Sequence, residues 1–399
     1  MRMSSRHMLL TPGPVTLPLS TRRAMLDDHG SADDHMVRAI AFARNYLMQL
    51  ANAEDWGTAI PLPGSATYVN EAVIRTLVPP EGKLLVHANG AYGERLAEIC
   101  RAAGTPHTVL RSAPDGRFPV ARLREELLRD AAVTHVMMVH IETSTGLLNP
   151  LEDVAAICRE LDKALLVDAV ASFGIFELDC RKLAPTALVL SSNKCLEGPP
   201  GLAWAIVNKT ALQACAGRAR SLSLDLWAQN DHMDRTGCFR FTPPTHVMTG
   251  VAAALRCHAI EGSAARLRRY RATWSRLVAE MRRIGFETVL ADADASPIVA
   301  TFHDPDDEHF DFATFCGAMA DRGYLIFPSR IGVPRTFRIG CIGALAADVM
   351  QDVAKTAADV LRARGVQQFG RTGPRATHLA ELQLYHDAYP RSPVEHRGM

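Results

Sequence analysis

The chain has 399 residues, and its 44 Lys and Arg against 43 Asp and Glu give a formal net charge of +1 at pH 7. This length allows two domains, and the balanced charge provides no global field to attract nucleic acid or an anionic membrane, so we expect neither as a partner. Hydrophobic residues at 48% and charged residues at 22% exclude a chain that is mainly disordered or collagen-like.

Helical and strand patterns alternate from about residue 56 to residue 208. In chain order they predict a helix at 65–78, a strand at 83–87, helices at 90–103 and 122–130, a strand at 134–140, a helix at 150–161, and strands at 164–168, 187–190 and 202–207. This alternation is typical of βα units. We therefore expect a largely parallel sheet covered by helices on both faces.

The pattern changes after residue 251. A long charged helix at 264–285 is followed by a strand at 297–301, a helix at 312–323, a strand at 336–339 and a helix at 346–364. We predict a large domain over residues 21–255 and a small α+β domain over residues 256–366. The remaining residues, 367–399, show little periodicity and are expected to form an extension.

Several other patterns are interpreted as structural. The nine cysteines include no C-x-x-C spacing, so we expect reduced core thiols and neither a disulfide framework nor a zinc module. No signal peptide or membrane span is recognisable, which favours the cytoplasm. The acidic and histidine-containing stretches at 27–35 and 303–309 lack a metal-site spacing, so no metal is expected. The basic run at 266–271 is interpreted as the solvated face of an amphipathic helix.

Asp168 and Lys194 form the most informative pair in the sequence. Asp168 ends one apolar strand pattern, and Lys194 comes just after another. Ligands of open α/β sheets bind at the carboxyl ends of strands, so both side chains are expected in one crevice. A lysine that forms a Schiff base and a carboxylate that keeps a pyridine nitrogen protonated suit pyridoxal phosphate. Strand-end Asp and Lys residues with a purely structural role remain the other interpretation.

Three further features fit the same crevice, each with a structural alternative. Ser65 to Thr67, at the start of a predicted helix, offer N–H and hydroxyl groups to a phosphate, or Ser65 only caps the helix. Tyr92, between two glycines, stacks on a planar cofactor or packs in a tight turn. Arg338, in a short apolar strand, binds a substrate carboxylate or pairs within the structure. No P-loop or dinucleotide fingerprint is present.

Read together, these residues make the chain resemble the fold-type I pyridoxal-phosphate aminotransferases of class V. The resemblance extends from residue 9 to about residue 361. The segments that carry it are 9–16, 140–146, 167–174, 191–195, 219–226 and 240–246. It implies an α/β fold with a mostly parallel seven-stranded sheet in the large domain and a smaller α+β carboxy-terminal domain. It also implies that residues 1–20 form a segment that closes over the active site.

The resemblance also implies a role for each site residue. Lys194 would be the Schiff-base lysine, and Asp168 the partner of the pyridine nitrogen. Arg338 would bind the carboxylate of the substrate, beside Pro12 and Gly13 of the closing segment. The remaining cofactor-binding residues implied are Ser65, Ala66, Thr67, Tyr92, Thr143, Val170 and Asn193, with Arg240 and Thr242 reaching the phosphate from the other subunit of a homodimer.

The segments at 191–195, 219–226 and 240–246 resemble the phosphonate branch of this family. That branch implies a ping-pong aminotransferase that moves the amino group of 2-aminoethylphosphonate to pyruvate, giving phosphonoacetaldehyde and L-alanine. Two alternatives stay open at this point. One is a related class V transaminase that uses alanine, serine or another aminophosphonate, with glyoxylate or pyruvate as acceptor. The other is a pyridoxal-phosphate-binding scaffold or regulator without catalysis.

Overall fold

The computed structural model describes residues 7–116, 118–327 and 333–370. Most of the predicted extension, residues 371–399, lies outside the described residues. The strands are β1 Met8–Leu10, β2 Gly57–Pro63, β3 Lys83–Ala88, β4 His107–Arg111, β5 Val133–Val139, β6 Ile141–Glu142, β7 Leu147–Leu148, β8 Ala164–Asp168, β9 Ala187–Ser191, β10 Leu202–Asn208, β11 Val299–His303, β12 Tyr324–Ile326 and β13 Thr336–Gly340.

Helices occupy much of the remaining chain. They are α1 Leu19–Arg23, α2 Asp34–Leu50, α3 Ala66–Leu77, α4 Ala91–Ala103, α5 Val120–Arg129, α6 Leu151–Glu160, α7 Cys180–Leu183, α8 Lys209–Gln213, α9 Leu226–Thr236, α10 Thr245–Glu261, α11 Ser263–Arg283, α12 Phe312–Asp321 and α13 Val349–Arg362. Within the described ranges, none of these helices combines the length and the apolar composition needed to cross a bilayer.

A seven-stranded sheet forms the centre of the fold, in the order β2-β10-β9-β8-β5-β3-β4. The strands from β9 to β4 pair in parallel, whereas β10 is antiparallel to both of its neighbours. Successive residues of β8 belong to different cores: Leu165 and Val167 to one, Leu166 to the other. This alternation follows from the two-residue period of a strand that is buried on both faces. The predicted α/β fold class is confirmed.

The carboxy-terminal part of the chain has a separate aromatic core. Helices α11, α12 and α13 contribute to it, together with the antiparallel pair β11 and β13. Its centre is Phe337, whose ring centroid lies 5.6 Å from that of Phe286 and 5.3 Å from that of Phe315, both in edge-on geometry. The amino-terminal strand β1 pairs in parallel with β12, so this end of the chain packs against the same core. The division into domains at residues 20, 255 and 366 stays a prediction.

Parts of the sequence interpretation were wrong. The basic run at 266–271 is a solvated face only in part, because Arg266 is only 1% exposed and Tyr270 is fully buried. Their spacing on α11 turns them inward with Thr273 and Leu277, whereas Arg268 and Arg271 face the solvent. The ends of some helices also differ from the predicted ones. The last helix begins at residue 349 and not at 346, because Asp348 caps its amino terminus.

Two long helices had no counterpart in the sequence interpretation: α2 and α10. The start of α2 lies at the end of the acidic stretch at 27–35, where the Asp33 carboxylate accepts a hydrogen bond from the Met36 N–H at 2.7 Å. One of these acidic residues therefore caps a helix. Six of the cysteines are buried, in agreement with the expectation of core thiols: Cys100, Cys158, Cys180, Cys195, Cys215 and Cys341.

Candidate active site

A cavity of about 180 Å³ lies at the carboxyl end of the parallel strands. Its wall contains the following predicted residues: Ser65, Ala66, Thr67, Tyr92, Thr143, Asp168, Val170, Asn193 and Lys194. A larger groove of about 760 Å³ lies beside α2 and α9, but it contains none of these groups. There the Arg44 guanidinium is already bonded to Thr58, Asn230 and Asp234. We therefore assign the site to the smaller cavity.

Lys194 lies in the turn after β9, and the amino-terminal segment covers its amine. Lys194 Nζ donates a hydrogen bond to the Pro12 carbonyl at 2.6 Å. Burial, with a further contribution from the Arg338 guanidinium, lowers the pKa of Lys194 to about 8. Gly13 has a φ of +127°, and a Cβ there would lie 2.8 Å from Lys194 Nζ. This close approach requires glycine, and it places Pro12 and Gly13 directly beside the lysine.

Asp168 ends β8 inside the cavity, and both of its oxygens accept hydrogen bonds. Asn70 Nδ2 donates to Oδ2 at 2.7 Å, and the Val170 N–H donates to Oδ1 at 3.0 Å. Burial raises the pKa of Asp168, and these two hydrogen bonds oppose the increase because they favour the carboxylate. Asn70 was missed by the sequence interpretation. It lies one turn beyond Thr67 on α3, so a helical projection from that motif would have found it.

The amino terminus of α3 forms one wall of the cavity. Ser65 occupies the N-cap position, but its side chain makes no capping hydrogen bond in the described structure. The interpretation of Ser65 as a helix cap alone is therefore not supported. The first N–H groups of a helix lack intrahelical acceptors, and the helix dipole favours an anion there. Ser65, Ala66 and Thr67 thus form an environment suited to a phosphate group.

Glu142 fixes the position of Tyr92, a role that no sequence pattern indicated. The buried Glu142 carboxylate accepts hydrogen bonds from the N–H groups of Tyr92 at 3.1 Å, Gly93 at 3.2 Å and Ser144 at 3.0 Å. It therefore caps α4 in place of Gly90, which has no side chain. A Cβ at Gly90 would overlap Glu142 and Ser144. Burial raises the pKa of Glu142 despite these hydrogen bonds.

Two arginines add positive charge near the lysine. Arg338, on β13, is buried and donates from Nη1 to the Thr143 carbonyl at 2.7 Å, while its guanidinium lies 4.7 Å from the centroid of the Phe327 ring. Arg95, another residue that the sequence interpretation missed, lines the cavity and lies 4.9 Å from the centroid of the Tyr92 ring. Both charges favour the neutral amine of Lys194.

Arg240 and Thr242 do not line the cavity of their own chain. Arg240 Nη1 donates to the Leu222 carbonyl at 3.0 Å, and the guanidinium lies 5.1 Å from the centroid of the Phe241 ring. Thr242 is exposed. Their implied place, at the phosphate of the other subunit, stays a prediction.

The groups in the cavity fit pyridoxal 5'-phosphate. A buried amine with a lowered pKa, a buried carboxylate and the start of α3 match its aldehyde, ring nitrogen and phosphate. Asn70 Oδ1 is buried and finds no hydrogen-bond donor among the described residues, which indicates a polar ligand beside Asp168. One chain thus supplies groups that would hold the aldehyde, the ring nitrogen and the phosphate of the cofactor.

Comparisons with known proteins agree with this fit. The family model for aminotransferase class-V matches residues 27–320. The chain is 41% identical over 369 residues to a 2-aminoethylphosphonate–pyruvate transaminase of Cupriavidus taiwanensis, covering 92% of this chain and 98% of that protein. It is 42% identical over 361 residues to one of Pseudomonas putida, covering 90% of this chain and 98% of that protein.

Solved structures show the same fold. An aspartate aminotransferase of subgroup IV from Thermus thermophilus superposes with a TM-score of 0.78 at 26% identity, covering 89% of this chain and 99% of that chain. Pyridoxamine–pyruvate aminotransferase from Mesorhizobium loti superposes with a TM-score of 0.82 at 22% identity, covering 98% of this chain and 99% of that chain. The chain therefore belongs to the class-V aminotransferases and is an aminotransferase that depends on pyridoxal 5'-phosphate.

Proposed function

We propose that the enzyme transfers the amino group of 2-aminoethylphosphonate to pyruvate, forming phosphonoacetaldehyde and L-alanine. The observation that carries this proposal is the 41% identity, over 92% of the chain, to a relative with that named activity. The likeness extends over 98% of that relative. The alternatives, another class V donor or a scaffold without catalysis, lack a comparable observation.

Lys194 is proposed as the residue that binds the cofactor covalently and moves protons. When bound, pyridoxal 5'-phosphate supplies an electron sink that stabilises a substrate carbanion. With the cofactor bound, Lys194 Nζ would remove a proton from the donor carbon that bears nitrogen. In the second half-reaction it delivers a proton to C2 of the product alanine. A pKa of about 8 leaves part of the amine neutral near physiological pH, and only the neutral form accepts a proton.

Asp168, Asn70 and Arg338 are proposed to set the charges around this lysine. The Asp168 carboxylate holds a proton at the cofactor ring nitrogen, and the Asn70 amide favours the carboxylate form of Asp168. The guanidinium of Arg338 binds the carboxylate of pyruvate and of alanine, because a planar donor fork matches a carboxylate. Thr143 orients this arginine through its carbonyl oxygen.

We further propose a homodimer in which Arg240 and Thr242 contribute to the partner's phosphate site. Support comes from their position outside the cavity of their own chain and from the resemblance. Mixing of two inactive variants tests this. Lys194→Ala and Arg240→Ala, refolded together in equal amounts, form dimers of which half are mixed, each with one intact site. Activity should return to about one quarter of the wild-type value, whereas recovery should be absent if each site belongs to one chain.

The location of the protein in the cytoplasm stays a prediction.

The substrates are tested by product analysis. The purified enzyme, supplied with 2-aminoethylphosphonate and pyruvate, should form phosphonoacetaldehyde and L-alanine in equal amounts, as followed by nuclear magnetic resonance of phosphorus and protons. Alanine, serine and glyoxylate are tested as competing donors and acceptor. Turnover at least about a hundredfold greater in kcat/KM with alanine or serine as donor would replace the phosphonate proposal by a related transaminase. No turnover with any pair would favour the scaffold.

A further inference from the structure

An ionic cluster lies behind the turn that carries Lys194, with three members buried and two half-buried. We call it the Glu197 cluster, and it consists of Glu197, Glu261, Arg266, Arg269 and Tyr270. The Glu197 carboxylate accepts hydrogen bonds from Arg269 Nη2 at 2.9 Å and from the Tyr270 hydroxyl at 2.6 Å. Glu261 accepts from Arg266 Nε at 2.8 Å and from Arg269 Nε at 2.7 Å. Two carboxylates thus meet two guanidinium groups, and no member enters the proposed chemistry.

The Glu197 cluster is bonded to the backbone of the Lys194 turn at two points. The Glu197 N–H donates to the Lys194 carbonyl at 2.9 Å, and Arg266 Nη1 donates to the Cys195 carbonyl at 2.8 Å. Glu197 itself has a φ of +55°, in the left-handed region that non-glycine residues rarely adopt. Such a conformation persists only where surrounding contacts enforce it, and the buried carboxylate supplies those contacts.

The same cluster also reaches the segment that covers the lysine amine. Arg269 Nη1 donates to the Gly343 carbonyl at 2.7 Å, and Gly343 forms a parallel β-bridge with Thr16. Thr16 lies four residues beyond Pro12, whose carbonyl accepts the hydrogen bond from Lys194 Nζ. The cluster therefore contacts both structures that fix the lysine: the turn below it and, through Gly343, the segment above it.

We propose that Glu197 is a positioning residue for Lys194, holding its turn and the covering segment in the geometry that the amine needs. This inference rests on the proposed function only through the role of Lys194. Stability alone is a weak reason for such a cluster, because apolar residues of similar volume often stabilise a core at least as well as buried ions. A backbone with a left-handed residue three positions after Lys194 needs directional bonds, and ionic groups provide them.

The test compares Glu197→Gln with Glu280→Gln. Glu280 is a matched control, because it is also a mostly buried carboxylate, lies on α11, and pairs with Arg283 at 2.9 Å and Arg276 at 3.5 Å without contact to the Lys194 turn. The first readout uses cofactor-free protein. Acetic anhydride labels Lys194 at a series of pH values, and peptide mass spectrometry gives the rate. The wild-type and Glu280→Gln midpoints should lie together near pH 8.

In Glu197→Gln the turn relaxes and the amine reaches water, so the midpoint should move up by about one pH unit or more. The second readout is steady-state kinetics with cofactor, where kcat should fall about tenfold or more while KM for pyruvate changes less than about twofold. The labelling result does not depend on which substrates the enzyme uses, so failure of the proposed function and failure of this inference are distinguishable.

Tyr270→Phe keeps the experiment decisive if Glu197→Gln does not fold. It removes only the Tyr270 hydroxyl, which donates to Glu197 and accepts from the Gly343 N–H at 3.4 Å, and it should move the labelling midpoint in the same direction by a smaller amount. The inference is overturned if the foldable variant of the two keeps the wild-type midpoint and kcat, and differs from wild type only in thermal stability, as Glu280→Gln is expected to do.

Discussion

The hydrogen bond from Asn70 to Asp168 allows the sharpest quantitative prediction. Asn70→Ala removes the donor that lies 2.7 Å from the buried Asp168 carboxylate. A hydrogen bond to a charged group contributes about 1.5 to 3 kcal/mol, and here that energy favours the ionised form. Its loss should raise the pKa of Asp168 further, because burial already raises it and the contributions that still oppose that effect are the Val170 N–H and the positive charges of Lys194 and Arg95. Less of the enzyme then carries the carboxylate that the cofactor ring needs.

The expected result is a lower kcat/KM for 2-aminoethylphosphonate by about ten- to a hundredfold, which corresponds to the energy of that bond. The loss should be greatest at low pH, and the acid limb of the profile should move to higher pH, because protonation of Asp168 removes activity there. The assay is a profile of kcat/KM against pH at saturating cofactor. Asn230→Ala is the control, since Asn230 is also buried and hydrogen-bonded but lies in the groove beside α2. A folded Asn70→Ala enzyme whose profile superposes on that of wild type would contradict this role of the Asn70 hydrogen bond.

Three further predictions follow from the cavity. The pKa of Lys194 is about 8 in the folded protein and 10.5 in the unfolded chain. The free energy of unfolding of the cofactor-free protein should therefore rise by about 3 kcal/mol from pH 8 to pH 10.5, and that of Lys194→Met should lack this rise. The same dependence on pH in both proteins, measured by chemical denaturation, would contradict this prediction. Gly13→Ala should reduce kcat by at least about tenfold, because the added Cβ would overlap the Lys194 side chain. Gly217→Ala, at a positive φ but in open space, should leave kcat unchanged. Equal kcat values for the two variants would contradict the steric role of Gly13. Glu142→Gln should weaken cofactor binding by about tenfold in a fluorescence titration, since an amide cannot accept from every N–H around Tyr92; unchanged affinity would exclude this capping role.

The sequence predicted the features that depend on local patterns. Apolar runs that end in Asp168 and just before Lys194 indicated strand ends, and parallel strands bring such ends to one edge of a sheet. The spacing of Ser65 and Thr67 ahead of a periodic helix likewise indicated an anion site at a helix start. These residues meet in one cavity because the parallel topology requires it.

The sequence did not predict the features that depend on tertiary placement. Arg266 stands among basic residues, a context typical of a solvated side chain. In the fold its guanidinium is buried and donates to the Cys195 carbonyl and to the Glu261 carboxylate. Asn70 belongs to none of these motifs, and the partner of its side chain, Asp168, is distant in sequence. Glu142 lies within the segment 140–146, but its hydrogen bonds to the Tyr92 and Gly93 N–H groups join residues that only the fold brings together. Strand β1 has only three residues, too few for a periodicity to be visible before β12 is known to pair with it.

This site is proposed to take the amino group from 2-aminoethylphosphonate and to give it to pyruvate through Lys194. The most direct measurement is the visible absorbance of the cofactor-loaded enzyme as 2-aminoethylphosphonate is added without any acceptor. We predict that the band disappears, that pyruvate restores it, and that Lys194→Ala shows neither change. A band that persists with the phosphonate but disappears with alanine or serine would contradict the proposed donor, and a reversible response in Lys194→Ala at the wild-type rate would contradict the role of the lysine.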